Sequence, residues 1–263
     1  YEEHKLISYP RTESRHLSTD MVDELPRILS QMLKQVKSKK VLDAFAAQSI
    51  VPGSITTSLL KPKLSKAYVD DTKLTDHHAI IPTFNAPTAN LPDKQKNVYD
   101  LVVTRFLSIF LPPEIRDETV CMIALGEHTF RAKGVIIKDV GWTVLEDNKQ
   151  EKGEKPEKGE KKKKEKDGEE EQQTLPALTA GDEIEKLKQE LKERKTSAPK
   201  PYDDASLLTA MKNAGQEIDD EDLASYMKQK GLGTPATRAA IIERLLQTGY
   251  VERNKKYFAP TTK

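Results

Sequence analysis

The spacing of apolar residues changes twice along this 263-residue chain, and these changes limit the folds that it can adopt. Up to residue 110 the apolar positions recur at intervals of three and four, which is the period of helices packed on a core. From Glu118 they form short β-rich runs that turns containing glycine separate. After residue 204 the helical period returns. The sequence therefore predicts a multidomain α+β protein.

The helical pattern predicts elements at both ends of the chain. They span residues 19–37, 41–49, 93–110, 204–214 and 221–229, and a last one begins at 235. Thr234 is the predicted N-cap of that last helix, and Pro235 is its first helical residue, where the missing N–H is harmless. Gly249 is expected to end it, and a hairpin that turns at Asn254–Lys255 follows. Helices followed by a hairpin resemble a winged helix.

The middle of the chain has two different parts. An antiparallel meander is predicted from four runs, at 119–125, 129–132, 134–137 and 142–145. Lysine, glutamate and glycine then dominate from 147 to 173, and residues 151–171 hold eight lysines against nine acidic residues. Such a nearly neutral segment favours a disordered, solvated loop over a DNA-binding tail. Residues 183–195 fit either helix or strand by pattern.

Composition excludes several classes of protein. The 43 basic and 42 acidic residues balance, so a nucleic-acid site would need a local concentration of arginine and lysine. Cys121 is the only cysteine, which excludes a disulfide framework or a cysteine zinc site within the chain and fits a reducing compartment. No apolar run reaches the length of a membrane span. Because the sequence opens at Tyr1 without methionine, we expect an excised fragment.

Tyr9 follows a short apolar run and precedes Arg11 and Arg15. A phenol is a poor nucleophile while it keeps its proton, and Arg11 offers a permanent cation with a flat fork of donors that fits a phosphate. The pair therefore suggests phosphoryl chemistry. The alternative is a tyrosine at a strand end that packs on a core, with a solvated arginine nearby.

Two further sites share this theme. His77 and His78 lie in a loop, where a histidine can donate to a phosphate or move a proton, although capping a backbone group is the simpler role. The Gly231–Arg238 segment opens a helix, and its glycines, free N–H groups and the Thr234 and Thr237 hydroxyls suit a phosphate. An ordinary capped helix explains that segment equally well.

Three stretches taken in order carry a resemblance to a known family. They are Leu6–Arg15 (LISYPRTESR), Thr75–Thr83 (TDHHAIIPT) and Gly231–Ile242 (GLGTPATRAAII), and Tyr202–Met211 supports them. With these motifs the chain resembles type IA DNA topoisomerases, most closely the bacterial topoisomerase III branch, over nearly its whole length.

The resemblance implies roles for the residues already singled out. Tyr9 matches the nucleophile that attacks one phosphodiester of single-stranded DNA and keeps the broken 5′ end as a phosphotyrosine. Arg11 and His77 match residues that act at the same phosphate, and Arg15 is expected to contact DNA. The remaining DNA-binding residues match a helix start that holds the strand upstream of cleavage, namely Thr234, Thr237 and Arg238. The ester keeps the energy of the broken bond, so resealing needs no ATP.

One departure from the family is large. Its Mg²⁺-binding acidic cluster lies in a TOPRIM domain before the tyrosine, and nothing in this sequence supplies it, since Asp203–Asp204 and Asp219–Asp220 read as cap or loop acids. We therefore expect no metal ligands in this chain and no activity from it alone. The implied partners are single-stranded or underwound DNA and that missing domain, in a monomeric, cytoplasmic, nucleoid-associated bacterial protein without membrane contact.

The resemblance also implies three domains. Residues 1–86 form part of the tyrosine-bearing domain, 87–198 form a β-rich arch that contains the 147–173 loop, and 199–263 form a helical domain that grips DNA. The two helical domains are joined by the antiparallel arch, and the arch favours strand for residues 183–195. The competing function is a non-catalytic module that binds single-stranded DNA while its tyrosine merely packs.

Overall fold

The computed structural model describes most of the chain outside its charged middle segment. The described residues are 5–74, 76–87, 91–146, 175, 178–183, 190, 191, 193, 195, 196, 198–217, 222, 224, 225, 227 and 231–263. They belong to two compact units, of which unit 1 comprises Tyr1–Pro10 and Ser14–Leu187, and unit 2 comprises Arg11–Glu13 and Lys188–Lys263. The sequence-based expectations for 147–173, for most of 183–195 and for most of the 221–229 helix lie outside the described residues.

Helices form the core of unit 1. Their bounds are Leu25–Gln35 (α1), Lys39–Ala46 (α2), Thr57–Leu60 (α3) and Asp93–Ser108 (α4). Short 3-10 turns span Thr19–Asp23, Lys61–Lys63, Asp71–Lys73 and Gly141–Leu145. The predicted helices at 41–49 and 93–110 are thus confirmed, with ends displaced by a few residues.

Helix α1 shows how the sequence sets a boundary. Its buried residues are spaced by three and four positions and form one continuous face, made of Leu25, Ile28, Leu29, Met32 and Leu33. The predicted helix at 19–37 is too long, because the chain forms a 3-10 turn over Thr19–Asp23 before α1 begins. Pro26 explains the break, since a proline tolerates only the first turn of an α-helix.

The core of unit 1 gathers side chains from α1, α2 and α4 and from the segments that join them. Its buried members are Leu6, Leu17, Leu25, Ile28, Leu29, Met32, Leu33, Val41, Phe45, Ile50, Leu60, Ile81, Tyr99, Phe106, Leu107, Phe110, Leu111, Val144 and Leu145. Leu6 lies within the tyrosine motif and Ile81 lies within the histidine motif. The core therefore anchors both motif segments.

The segment 142–145 belongs to that core, but the predicted strand there is wrong. Gly141 adopts φ +47°, and a Cβ at this position would lie 2.4 Å from the Pro113 carbonyl oxygen, so only glycine fits. The Trp142 N–H donates to the Pro112 carbonyl at 2.9 Å. This turn docks the segment on the end of α4 as a 3-10 helix that buries Val144 and Leu145.

The predicted meander is a single hairpin. Strands Ile115–Leu125 (β1) and His128–Asp139 (β2) pair in antiparallel register, with Leu125 opposite His128 at the turn. The expected turn at Lys133–Gly134 does not form, because β2 runs straight through it and Gly134 pairs with Thr119. The strand prediction for the runs at 119–125, 129–132 and 134–137 is thus confirmed, as is the turn after the first run, and only the division between the second and third runs is wrong.

The elements of unit 2 that are described in full are two helices, a 3-10 turn and a second hairpin, and the described residues 222, 224, 225 and 227 are also helical. Its elements are Asp204–Lys212 (α5), Arg238–Gln247 (α6), Val251–Asn254 (β3) and Tyr257–Pro260 (β4), with a 3-10 turn at Ala214–Glu217. Asp203 and Ser206 form a reciprocal capping box at the start of α5, which confirms the reading of Asp203 as a cap acid. Gly249 ends α6 with φ +74°, and its N–H donates to the Leu246 carbonyl at 3.1 Å.

The small core of unit 2 joins α5, α6 and β4 through Met211, Ile242 and Phe258. Small antiparallel sheets beside helices confirm the predicted mixed α+β class. The division into three domains at 86 and 198 stays a prediction. Within the part of the chain that the structure describes, no helix is both long and apolar enough to cross a membrane.

Candidate active site

Tyr9 is positioned by pairing between its own segment and the histidine segment. The Ser8 N–H donates to the Ile81 carbonyl at 2.8 Å, and the Thr83 N–H donates to the Leu6 carbonyl at 2.9 Å. The Ser8 hydroxyl accepts from the Ile81 N–H at 3.0 Å. These bonds fix the antiparallel bridge between Ile7 and Pro82. Tyr9 comes two residues after the bridge, so the pairing sets its position.

The same pairing brings Tyr9 and His77 together. Their ring centroids lie 4.5 Å apart with the ring planes inclined by 49°. Tyr9 is half-buried, whereas His77 is exposed. The two residues that the sequence assigned to one phosphate therefore do lie side by side, although they are 68 positions apart in the sequence.

A second set of contacts holds the histidine loop against the chain that follows Tyr9. The Ala79 N–H donates to the His16 carbonyl at 2.8 Å, and the Leu17 N–H donates to the Tyr68 carbonyl at 2.7 Å. His78 points its Nδ1 at the Ala79 carbonyl oxygen, 2.7 Å away. His78 thus has the backbone-capping role expected of a turn histidine, while its neighbour His77 faces the tyrosine.

Arg11 and Arg15 are both exposed. Among the described residues, neither side chain has a carboxylate partner within ion-pair distance. An exposed guanidinium without an internal carboxylate is free to bind an anionic ligand. The structure thus leaves both predicted cations accessible.

The glycine-threonine segment of unit 2 forms a tight turn before α6. The Thr234 N–H donates to the Thr237 hydroxyl at 2.9 Å, and the two threonine hydroxyls lie 3.1 Å apart. Both side chains are exposed. The predicted helix start at Thr234–Pro235 is wrong by three residues: α6 begins at Arg238, and Thr237 occupies the N-cap position. The Thr237 hydroxyl accepts from the Thr234 N–H and donates to the Thr234 carbonyl, and such bonds between a side chain and its own turn compete with helix formation.

Gly231 and Gly233 shape this turn, with φ values of +62° and +70°. A Cβ at Gly231 would lie 2.6 Å from the Lys212 carbonyl oxygen, because the turn passes directly over the end of α5. The adjacent Leu232 N–H donates to the Met211 carbonyl at 2.7 Å. Close backbone approach within the unit therefore requires glycine at position 231, whereas at position 233 the left-handed φ favours glycine and the nearest atoms belong to side chains.

Arg238 has a different setting from the threonines. Its side chain is only 8% exposed, and its Nε and Nη2 donate to the Leu232 and Gly233 carbonyls, each at 3.0 Å. Its Nη1 donates to Glu13. The Lys212 ammonium lies 3.1 Å from the other Glu13 oxygen. Arg238 therefore braces the glycine turn from inside instead of reaching solvent.

Glu13 is the centre of this charged cluster. Partial burial alone would raise the pKa of the Glu13 carboxyl, but hydrogen bonds from Arg238 and Lys212 outweigh it and hold that pKa below its ordinary value. Sequence reasoning missed Glu13 and Lys212 as members of the site. Glu13 stands inside the quoted tyrosine motif, yet its partner Arg238 is 225 positions away, so no local spacing could have revealed the pair.

Across the described ranges, no group of three or more histidine, cysteine or acidic side chains is placed to hold a metal ion. Asp204 forms two hydrogen bonds with Arg253, at 2.7 and 2.8 Å, and Asp203 caps α5. Asp219 and Asp220 lie outside the described residues. The described side chains therefore do not fit the Mg²⁺ that the family resemblance implies.

Comparisons with known proteins show the family of this chain. A family model described as DNA topoisomerase matches residues 1–263. The chain is 36% identical to DNA topoisomerase 3 of Bacillus licheniformis and 33% identical to that of Bacillus subtilis, in both cases over 100% of this chain and 33% of the relative. The chain thus spans a third of the length of these curated relatives.

A solved structure supports the fold. Full-length topoisomerase I from Thermotoga maritima superposes with a TM-score of 0.50 at 20% identity, covering 97% of this chain and 33% of that protein. The family match extends over every motif described above, from the Tyr9 segment to the glycine-threonine turn. The chain belongs to the type IA DNA topoisomerase family.

Proposed function

We propose that this chain supplies the tyrosine half of the active site of a type IA DNA topoisomerase. The whole enzyme would cut one DNA strand, pass another strand through the gap and reseal the cut, relaxing or decatenating DNA in a bacterial cytoplasm. The observation that carries the proposal is the contact between Tyr9 and His77, at 4.5 Å between ring centroids, in a chain that the family model matches throughout.

The chemistry assigned to Tyr9 is a transesterification. The Tyr9 oxygen would attack the phosphorus, forming a P–O bond to the phenol while the bond from phosphorus to the 3′ oxygen of the neighbouring sugar breaks. The phenol loses one proton and the departing 3′ oxygen gains one. Attack by that 3′ hydroxyl on the phosphotyrosine reverses each change, so the strand is resealed without an external energy source.

His77 and Arg11 would assist that step in different ways. His77 stands beside the phenol ring, and an imidazole can both accept and donate a proton, so we assign it to proton transfer or to a hydrogen bond at the phosphate. Arg11 is exposed and carries a permanent charge, so we assign it to the negative charge that develops on the phosphate oxygens. Arg15 would add a contact to the DNA backbone.

In unit 2 the exposed Thr234 and Thr237 hydroxyls would contact the strand's phosphates, which positions the strand without reading its sequence. Arg238, also assigned to DNA binding from the sequence, would act by holding the glycine turn in shape, because its donors are engaged inside the unit. Mg²⁺ would be held by the TOPRIM domain that the resemblance implies, and no step proposed here depends on it.

The test joins this chain to such a TOPRIM domain and measures covalent attachment to labelled single-stranded DNA with Mg²⁺ present. Tyr9→Phe should abolish the adduct and the relaxation of supercoiled DNA, since no oxygen remains to attack. Tyr68→Phe is the matched control, because Tyr68 is another half-buried tyrosine of unit 1 and should keep both activities.

His77→Ala should slow adduct formation by about a hundredfold, because the group assigned to proton transfer or to the phosphate contact is lost. An adduct that survives in the Tyr9→Phe variant would refute the assignment. A joined protein that binds single-stranded DNA but never forms an adduct would instead favour the non-catalytic binding module.

A further inference from the structure

Unit 1 contains a groove that the tyrosine chemistry does not use. It has a volume of about 490 Å³ and lies between one face of α1 and the segment at the start of α3, with Phe84 in its wall. The Gly53 N–H donates to the Ser30 hydroxyl at 3.3 Å and ties the two walls together. This volume lies in the range of sites that hold small ligands or single ring systems.

The α1 wall presents a row of polar side chains. Arg27, Ser30, Gln31 and Lys34 line the groove, and their spacing of three, four and seven positions places them on one helix face. Arg27 and Lys34 lie about 10 Å apart along the axis, since each residue rises about 1.5 Å. The groove thus has two positively charged side chains along one face of α1.

Charge along the groove is unbalanced. Among the described residues that line it, Asp23 is the one acidic side chain, against Arg27 and Lys34. Within the described ranges neither of these two cations forms an ion pair with a carboxylate. Exposed cations that have no internal partner attract an anionic ligand.

Arg27 also forms a stacking platform with Phe84. Its guanidinium carbon lies 4.0 Å from the centroid of the Phe84 ring, and 43% of Phe84 is exposed although it is a large apolar residue. A guanidinium that stacks on a ring keeps its outer face open to a base and its N–H edge open to a phosphate. Such a pair of aromatic and cation is typical of surfaces that bind single strands.

We propose that this groove binds single-stranded nucleic acid, with a base stacked on the Arg27–Phe84 pair and a neighbouring phosphate at Lys34. A duplex keeps its bases inside the helix and cannot offer one to the platform. The proposal takes the identity of the polymer from the proposed function, but it does not depend on cleavage by Tyr9. It adds a strand-binding site separate from the residues assigned to the scissile phosphate.

The test uses the full 263-residue chain and a fluorescein-labelled thymidine oligonucleotide, with anisotropy as the readout. Phe84→Ala and Arg27→Ala should each weaken binding by about fivefold or more, the loss expected when one stacked base is given up. Lys34→Ala should lower the slope of log affinity against log salt by about 0.7, the value for one phosphate contact on a single strand.

Matched controls are Phe130→Ala and Arg105→Ala. Phe130 is 46% exposed on β2, and Arg105 is exposed on α4, and neither lines the groove. Both controls should bind as the unchanged chain does. Arg27→Lys keeps the positive charge but loses the planar group that stacks. This variant should bind the oligonucleotide as weakly as Arg27→Ala does, which separates the effect of stacking from that of charge alone. Urea unfolding of each variant checks that α1 still folds.

A second readout locates the strand. Oligonucleotides that carry a photoreactive iodouracil should crosslink to Phe84, and the crosslink should disappear in Phe84→Ala. Equal affinities of the groove variants and the controls would overturn the proposal, and so would crosslinks confined to unit 2 or equal binding of a matching duplex. These results are independent of adduct formation, so failure of the groove and failure of the Tyr9 assignment are distinguishable.

Discussion

Glu13→Gln should destabilise unit 2 while leaving unit 1 unchanged. The substitution keeps the size and shape of the side chain and removes the charge that faces Arg238 and Lys212. A neutral amide can still accept one hydrogen bond, but it no longer balances the Arg238 guanidinium, which stays buried against the Leu232 and Gly233 carbonyls. The perturbation therefore tests the charge and not the packing.

The expected cost follows from the burial of the two partners. Breaking a fully buried ion pair costs about 3–5 kcal/mol, because the remaining charge is left uncompensated. Arg238 fits that description, with its side chain 8% exposed, but Glu13 is 28% exposed, so water screens part of the interaction. A hydrogen bond to a charged group is worth about 1.5–3 kcal/mol net. We therefore expect a loss of about 2 kcal/mol in the free energy of unfolding of unit 2.

Urea unfolding followed by two signals separates the units. Trp142 is the only tryptophan of the chain and lies in unit 1, so its fluorescence reports that unit alone. Far-ultraviolet circular dichroism reports helices of both units. Glu13→Gln should move the dichroism transition that belongs to α5 and α6 to lower urea and leave the Trp142 midpoint unchanged.

Asp204→Asn is the matched control. It also neutralises a carboxylate that binds an arginine, but Asp204 and Arg253 are both exposed, and exposed pairs contribute little. Its midpoint should stay close to that of the unchanged chain. If the two variants shifted equally, or if Glu13→Gln had no effect, the argument that burial makes the Glu13–Arg238 pair strong would be refuted.

Three further outcomes follow from the structure. The pKa of Glu13 in the folded chain lies below its unfolded value of about 4.5. The stability that ionised Glu13 gives to unit 2 is therefore present above pH 4.5 and should be lost as the pH falls through the lower folded pKa. Urea titrations of Glu13→Gln should not show this acid-dependent loss. Leu29→Ala should lower the free energy of unfolding of unit 1, followed by Trp142 fluorescence in urea, by about 3 kcal/mol, since Leu29 is fully buried. Gly231→Ala should cost more than Gly53→Ala in urea unfolding, because both have positive φ but a Cβ meets backbone only at Gly231.

The sequence predicted helices well where apolar periodicity was unbroken. Helix α4 lies within two residues of its predicted end, since its apolar stripe and the following prolines mark it clearly. The strand predicted at 142–145 failed because Thr143, Val144 and their neighbours favour β structure locally. The contact of this segment with Pro112, which Gly141 permits, overrides that preference. Local β propensity does not predict such a tertiary contact.

The sequence predicts which residues belong to the candidate site better than it predicts how they are arranged in space. Tyr9 and His77 were both chosen from sequence, but only the pairing of residues 6–8 with 79–83 brings their rings into contact. The helix start that the sequence predicts to bind phosphate has Pro235 as its first helical residue, and the helix begins at Arg238 instead. Threonine side chains that bond to their own turn compete with helix formation, and the outcome depends on geometry that residue type alone does not determine.

Arg238 shows most clearly how burial changes the meaning of a residue type. An arginine in a glycine-threonine segment suggests a phosphate contact, yet three of its donor nitrogens bind Leu232, Gly233 and Glu13. The exposed threonine hydroxyls are then the groups left to face a ligand, on a turn whose backbone Arg238 holds. Glu13 holds the Arg238 side chain in place. The acidic residue of the tyrosine motif thereby supports the shape of the glycine-threonine turn that is proposed to contact the DNA backbone. Loss of that carboxylate should therefore weaken strand binding by loosening the turn, although Glu13 itself would repel a phosphate.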